Sequence, residues 1–201
     1  MRALIIAVAA AVLFWLLLFG LEIVNFWWGM TIAAGLLAAW SLVHAGRDRR
    51  SLFAFDTSHI AWGLMSAFLL YAVFWAGNYL SRVILDFAAG QIESIYMRRE
   101  QLGHREIALL LFFVIAPAEE IFWRGMVQRI LSGKFGSISG WLAAALIYAA
   151  VHLWAGNFVL FMAALICGLF WGWIYMRFGS LWPGIISHAV WDILVFLIVP
   201  L

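Results

Sequence analysis

Charge is scarce in this chain: only 11% of its 201 residues are Asp, Glu, Lys or Arg, against 67% hydrophobic. With a mean hydropathy of +1.04 it lies outside the range of soluble globular domains, and it reads as a polytopic integral membrane protein in contact with the lipid bilayer. Cysteine is almost absent. Cys167 stands alone in an apolar segment, which excludes a disulfide framework and a CxxC metal or redox motif. The twelve basic residues form no continuous tract, so no nucleic-acid partner is expected. Also missing is the apolar/polar alternation of barrel strands. The apolar runs are continuous and about 17 to 22 residues long, the length of membrane-crossing helices.

Those runs predict an all-α bundle of about seven helices in a single transmembrane domain, at Ala3 to Leu21, Ile23 to Val43, Ile60 to Leu80, Ile107 to Met126, Ile138 to Trp154, Phe158 to Met176 and Leu181 to Val199. Glu22 marks a tight turn between the first two. Residues 1–80 form the N-terminal helices, 81–106 an interfacial amphipathic helix and 107–201 the helices expected to carry chemistry. Met1 to Gly20 starts like a signal peptide, but its apolar core is too long and no small-residue cleavage site follows, so a retained first helix is expected. Arg2, Arg47, Arg49, Arg50, Arg124, Arg129, Lys134 and Arg177 fall on one side, against Arg82, Arg98, Arg99 and Arg105 on the other. This bias places the N-terminus in the cytoplasm of a bacterial or archaeal plasma membrane. Trp27, Trp28, Trp154 and Trp182 sit near span ends as interface anchors. Gly168 and Gly172 form a GxxxG suited to close helix packing.

Against this background Ala116-Pro-Ala-Glu-Glu-Ile-Phe-Trp-Arg-Gly125 stands out, because it sets three ionisable groups in mid-span. A charge at the bilayer centre costs at least about 2.5 to 3.5 kcal/mol, so such groups face a bundle interior or a wet cavity and mark function. Glu120 and Arg124 have the spacing of an intrahelical ion pair, which neutralises both without any chemistry. Glu119 is rotated away and lacks a partner at i±4, where Ile115 and Trp123 stand. Pro117 removes a backbone donor and loosens the helix beside it. Three other intramembrane groups, His152, His188 and Asp192, come from two further helices, His152 one turn after Tyr148 and His188 one turn before Asp192. His44, His59 and His104 are expected to be solvated. A carboxylate beside an imidazole can polarise a water, and a second imidazole can donate to an oxygen that becomes negative during amide attack. Taken singly, each histidine is equally a buried ring bonded to a backbone carbonyl.

Glu119-Glu120-x-x-x-Arg124, Tyr148-x-x-x-His152 and His188-x-x-x-Asp192, in that order on successive helices, resemble the motifs of the CPBP (CAAX protease and bacteriocin-processing) family of intramembrane proteases, which includes the type II CAAX prenyl endopeptidases. The resemblance covers about the last hundred residues. It implies that Glu119 and His152 hold and activate the attacking water, that His188 and Asp192 stabilise the oxyanion, and that Glu120, Arg124 and Tyr148 shape the site. Tyr148 stands where Phe is commoner. Asp192 stands where the prenyl endopeptidases have Asn, and an ionised carboxylate cannot donate to an oxyanion, so Asp192 orients His188 or is protonated. The implied activity is a glutamate-type endopeptidase without a cofactor, acting on a membrane-anchored protein or peptide. A zinc site on Glu119, His152 and His188 is the alternative, although HExxH is absent. Gly136-Ser-Ile-Ser-Gly140 is not the rhomboid GxSG, and no GxGD occurs. The competing functions are a proton-coupled transporter, for which repeated interrupted helices are missing, and a non-catalytic scaffold or immunity protein.

Overall fold

The computed structural model describes residues 1–201, the side chain of Arg47 excepted, so that member of the basic set lies outside the described residues. All regular elements among the described residues are helical: α1 (Arg2–Gly20), α2 (Phe26–Ala45), α3 (Ser58–Ile84), the short α4 (Ala88–Tyr96), α5 (residues 104–135), α6 (Ser137–Ala155), α7 (Phe158–Phe178) and α8 (Trp182–Ile198), with short helical turns at Gly46–Asp48, Arg49–Leu52 and Met97–Gln101. The all-α membrane bundle expected from hydropathy is the observed architecture. Five helices, α1, α2, α3, α6 and α7, are long and apolar enough to cross a membrane, and α8 is a shorter apolar helix.

The turn between α1 and α2 is at Glu22, whose φ of +48° makes it the one non-glycine in the left-handed region among the described residues. The Asn25 side chain then accepts from the backbone N–H groups of Trp27 and Trp28, satisfying donors that the first turn of α2 leaves free. The segment 81–106 departs from expectation. Helix α3 runs on to Ile84 and stops where Leu85 turns extended, so the amphipathic helix shrinks to α4, which buries Ala88 and Ile92. Trp27 is also not an interface anchor. It is buried, and its indole N–H donates to the Arg98 carbonyl at 2.8 Å, because its helix face turns inward toward 96–98. His59 is buried rather than solvated. Its ring is edge-on to Phe55 and Phe178, and its Nδ1 accepts the Asp56 N–H.

Helix α5 is the axis of the bundle, with α2, α6 and α8 packed around it. Phe122–Gln128 is buried on every side, which makes this stretch of the helix fully interior. Two π-helical stretches, Leu111–Ile115 and Trp123–Gln128, flank the turn that bears Glu119 and Glu120. The first ends just before Pro117, so the wider turn absorbs the missing donor, and such bulges recur at functional sites.

Between α6 and α7, the GxxxG glycines act as packing positions. A Cβ on Gly168 would meet Ala145 and Tyr148 at 3.2 Å, and one on Gly172 would meet Trp141 at 2.6 Å and Gln128 at 2.8 Å. That closeness lets side chains reach the α7 backbone: Gln128 donates to the Gly172 carbonyl at 2.8 Å and Trp141 to that of Leu169 at 2.9 Å. At the α8 start the bundle is sealed by Leu181 N–H on the Leu52 carbonyl, Trp182 on that of Phe53 and Ser180 on that of Ala54.

Candidate active site

A cavity of about 420 Å³ lies inside the bundle. It is lined by Glu119 from α5, Tyr148 and His152 from α6, Trp171 from α7, and His188 and Asp192 from α8. Phe74, Gly77, Asn78 and Ser81 of α3 and Arg98, just after α4, line it as well. Three of the helices that bear the sequence-selected residues thus point them into one space. Most of the rest of the lining is apolar or aromatic, including Phe19, Phe26 and Trp27.

Glu120 and Arg124 form the ion pair their spacing predicts, at 2.9 Å, with both side chains almost fully buried. Arg124 Nη2 also donates to the Cys167 carbonyl at 3.2 Å, and the guanidinium lies over the rings of Tyr148 and Trp171 at 5.1 and 5.5 Å. The pair is more than a neutralised charge. Glu120 Oε1 accepts in addition from His188 Nδ1 at 3.0 Å, so the carboxylate held by Arg124 fixes the imidazole. Gly184 makes room for this contact, since a Cβ there would stand 2.9 Å from Glu120 Oε2. Trp171 stacks on the His188 ring with centroids 3.7 Å apart, and its indole N–H donates to Ser187 Oγ. Asp192 Oδ2 is 3.7 Å from Nε2, beyond hydrogen-bonding reach, while Glu120 holds Nδ1.

Glu119 is buried, and its Oε1 has no hydrogen-bond partner among the described residues. Its Oε2 lies 3.8 Å from His188 Nε2, so the imidazole nearest to it is His188 and not His152. His152 stands at the end of α6, where Gly156 in the left-handed region stops the chain from continuing as helix. Both nitrogens of its ring are engaged. Nδ1 lies 2.8 Å from the Tyr148 carbonyl, which can only accept, so Nδ1 carries the proton and Nε2 accepts the Trp15 indole N–H at 3.2 Å. No cluster of three or more His, Cys, Asp or Glu side chains suited to a metal ion occurs among the described residues. In this arrangement both ring nitrogens of His152 are already bonded within the protein.

Sequence reading passed over Trp15 and Trp171 and used Arg98 only for orientation. The available signal was that a buried tryptophan carries an N–H that usually finds an acceptor, although those of Trp123 and Trp191 have none among the described residues.

Fold and cavity define a polytopic integral membrane protein with carboxylates and imidazoles gathered inside its bundle. Residues 105–194, a little under half of the chain, match the family model described as Type II CAAX prenyl endopeptidase Rce1-like, so this segment is similar to that family. The match contains Glu119, Glu120, Arg124, Tyr148, His152, His188 and Asp192, whereas Trp15 and Arg98 precede it. No curated protein and no solved structure matches the chain.

Proposed function

We propose that this protein is an intramembrane endopeptidase that hydrolyses a peptide bond of a membrane-anchored protein or peptide with a water activated by Glu119. The observation that carries this reading is the unpartnered Oε1 of Glu119, buried in a cavity that His152, His188 and Asp192 also line. A buried carboxylate left unpaired is costly, and a fold retains one where chemistry uses it.

In the proposed reaction Glu119 takes a proton from water as the oxygen bonds to the scissile carbonyl carbon. The carbonyl oxygen becomes an oxyanion. His188 donates to it from Nε2 in its imidazolium form, with Nδ1–H kept on Glu120. Collapse breaks the C–N bond, and the proton on Glu119 passes to the leaving amine. His152 joins the water site once its Nε2 is released by Trp15. Asp192 flanks the oxyanion position and contributes there only when protonated. No step passes through a metal.

The test is cleavage of N-acylated model peptides by the full chain in detergent or liposomes, with Glu119→Gln and His152→Ala beside the wild type and a chelator in a parallel arm. Wild-type cleavage that Glu119→Gln lowers by at least about a hundredfold is expected, that being the usual scale of general-base catalysis. Activity that survives Glu119→Gln removes the proposed base, and loss with chelator would replace the metal-free mechanism.

A further inference from the structure

Glu119 Oε1 and Trp123 Nε1 are both buried without a hydrogen-bond partner among the described residues, the first an acceptor and the second a donor. Their residues stand four apart on α5. The backbone N–H of Trp123 reaches the Glu119 carbonyl, so the turn between them is a regular one and the two side chains share a helix face. The π-helical stretch opens only at Trp123. A buried polar atom left unpaired is costly, and two of opposite kind one turn apart can satisfy each other.

The other N–H donors around this carboxylate are committed. Arg124 donates to Glu120 and to the Cys167 carbonyl, His188 Nδ1 to Glu120 and the Trp171 indole to Ser187, while both nitrogens of His152 are engaged. Trp191 also has an unpaired indole N–H, but its ring lies against Phe74 of α3 and Trp171 of α7. The Trp123 ring is fully buried and held edge-on by Phe122, Tyr148 and Trp15, with centroids 4.6, 5.1 and 5.9 Å away. Its N–H is thus fixed in direction. A glutamate side chain, by contrast, changes the aim of its oxygens by turning about its own single bonds.

We propose that Trp123 is a positioning residue for the base: once Glu119 is ionised, the indole N–H donates to Oε1 and leaves Oε2, the oxygen 3.8 Å from His188 Nε2, to take the proton from water. The inference rests on the reading of Glu119 as the base. The other charged or titratable groups around Glu119 are Glu120 and Arg124 on its own helix, Tyr148 from α6, Cys167 from α7, and His188 and Asp192 from α8. None of them donates to Oε1. A hydrogen bond to an ionised carboxylate is about twice as strong as one to a neutral acid, so the contact forms in the state that abstracts a proton and loosens once the proton is taken. It also commits one carboxylate oxygen and thereby fixes which oxygen addresses the water.

Two measurements test this on the full chain in detergent. Trp123→Phe keeps the aromatic body and removes the donor. In the cleavage assay its kcat is expected to fall roughly tenfold to a hundredfold with KM unchanged, the scale of one hydrogen bond to a charged group. Thermal unfolding checks that the variant is folded. The second measurement needs neither turnover nor that variant: the indole N–H signal of Trp123, assigned through its proximity to Phe122 and Tyr148, is followed by NMR against pH. It is expected to titrate in the wild type and to stand still in Glu119→Gln. An unchanged kcat in folded Trp123→Phe, an indole signal that ignores pH, or one that still titrates in Glu119→Gln overturns the role. If the wild type cleaves no peptide while the indole titrates only with Glu119 present, the contact stands and the endopeptidase reading falls.

Discussion

Trp15 and His152, 137 positions apart, are joined by a hydrogen bond of 3.2 Å from the indole N–H to imidazole Nε2. Through it the first helix, which lies outside the family match, reaches a residue of the candidate site. An imidazole nitrogen has one lone pair, so Nε2 cannot serve Trp15 and a water at once. Trp15→Phe keeps the aromatic body and removes the donor. The expected result is an increase in kcat of several-fold together with a stability loss of about 1 kcal/mol for the missing bond. Imidazole nitrogen NMR of the same variant should show the Nε2 resonance of His152 move while Nδ1 stays. A fall in kcat with an unmoved Nε2 signal would mean that Trp15 only packs.

Glu120 is shared by Arg124 and His188, both on Oε1. Removing one member leaves a buried charge without its counterpart, so Arg124→Met is expected to destabilise the bundle by about 3 to 5 kcal/mol. The double variant Glu120→Leu with Arg124→Met removes both charges and should recover much of that loss. It should not recover cleavage, because His188 then lacks the acceptor that orients Nδ1. Thermal unfolding in detergent and peptide cleavage, measured on both variants, separate the two effects. Equal stability of the single and double variants would count against this account of the pair.

Asp192 lies 3.7 Å from His188 Nε2 and holds no hydrogen bond to it. Asp192→Asn supplies an amide N–H that can donate toward an oxyanion at any pH, which an ionised carboxylate cannot do. Cleavage is expected to persist at or above the wild-type rate. A loss comparable to that of Glu119→Gln would show that the carboxylate itself is required.

Close helix approach in this bundle depends on particular glycines. A Cβ on Gly140 would stand 2.2 Å from the Ser132 backbone nitrogen, where neither chain can yield by rotating a side chain, whereas a Cβ on Gly35 meets nothing within 4 Å. Gly140→Ala should therefore lower stability by about 1 to 3 kcal/mol or more, the range of overpacked positions. Gly35→Ala, in mid-helix, should be neutral or stabilising by up to about 1 kcal/mol. Melting temperatures of the two variants, measured in the same detergent, give the comparison directly.

Hydropathy located the five membrane-length helices to within a few residues, because a membrane-crossing helix must satisfy its backbone internally over a known length, but it cut α5 nine residues short at Met126. Spacing on one helix likewise predicted the Glu120–Arg124 pair, since residues four apart share a face whatever surrounds them. Local periodicity also explains the failure over 81–106. The apolar residues recur at helical intervals, but the breaks at Leu85 and Gly103 are backbone events that hydropathy does not register. Contacts between helices follow from rotation, depth and packing, none of which a single chain's periodicity carries. Hence His188 turned out to be held by Glu120 rather than Asp192, Glu119 to face His188 more closely than His152, and His152 to be bonded by a tryptophan from a helix more than a hundred residues earlier. Residue types and their order carried the family resemblance and picked out the candidate groups. Which nitrogen meets which oxygen was set when α5 was enclosed by its neighbours, because only there do buried donors and acceptors have to find one another.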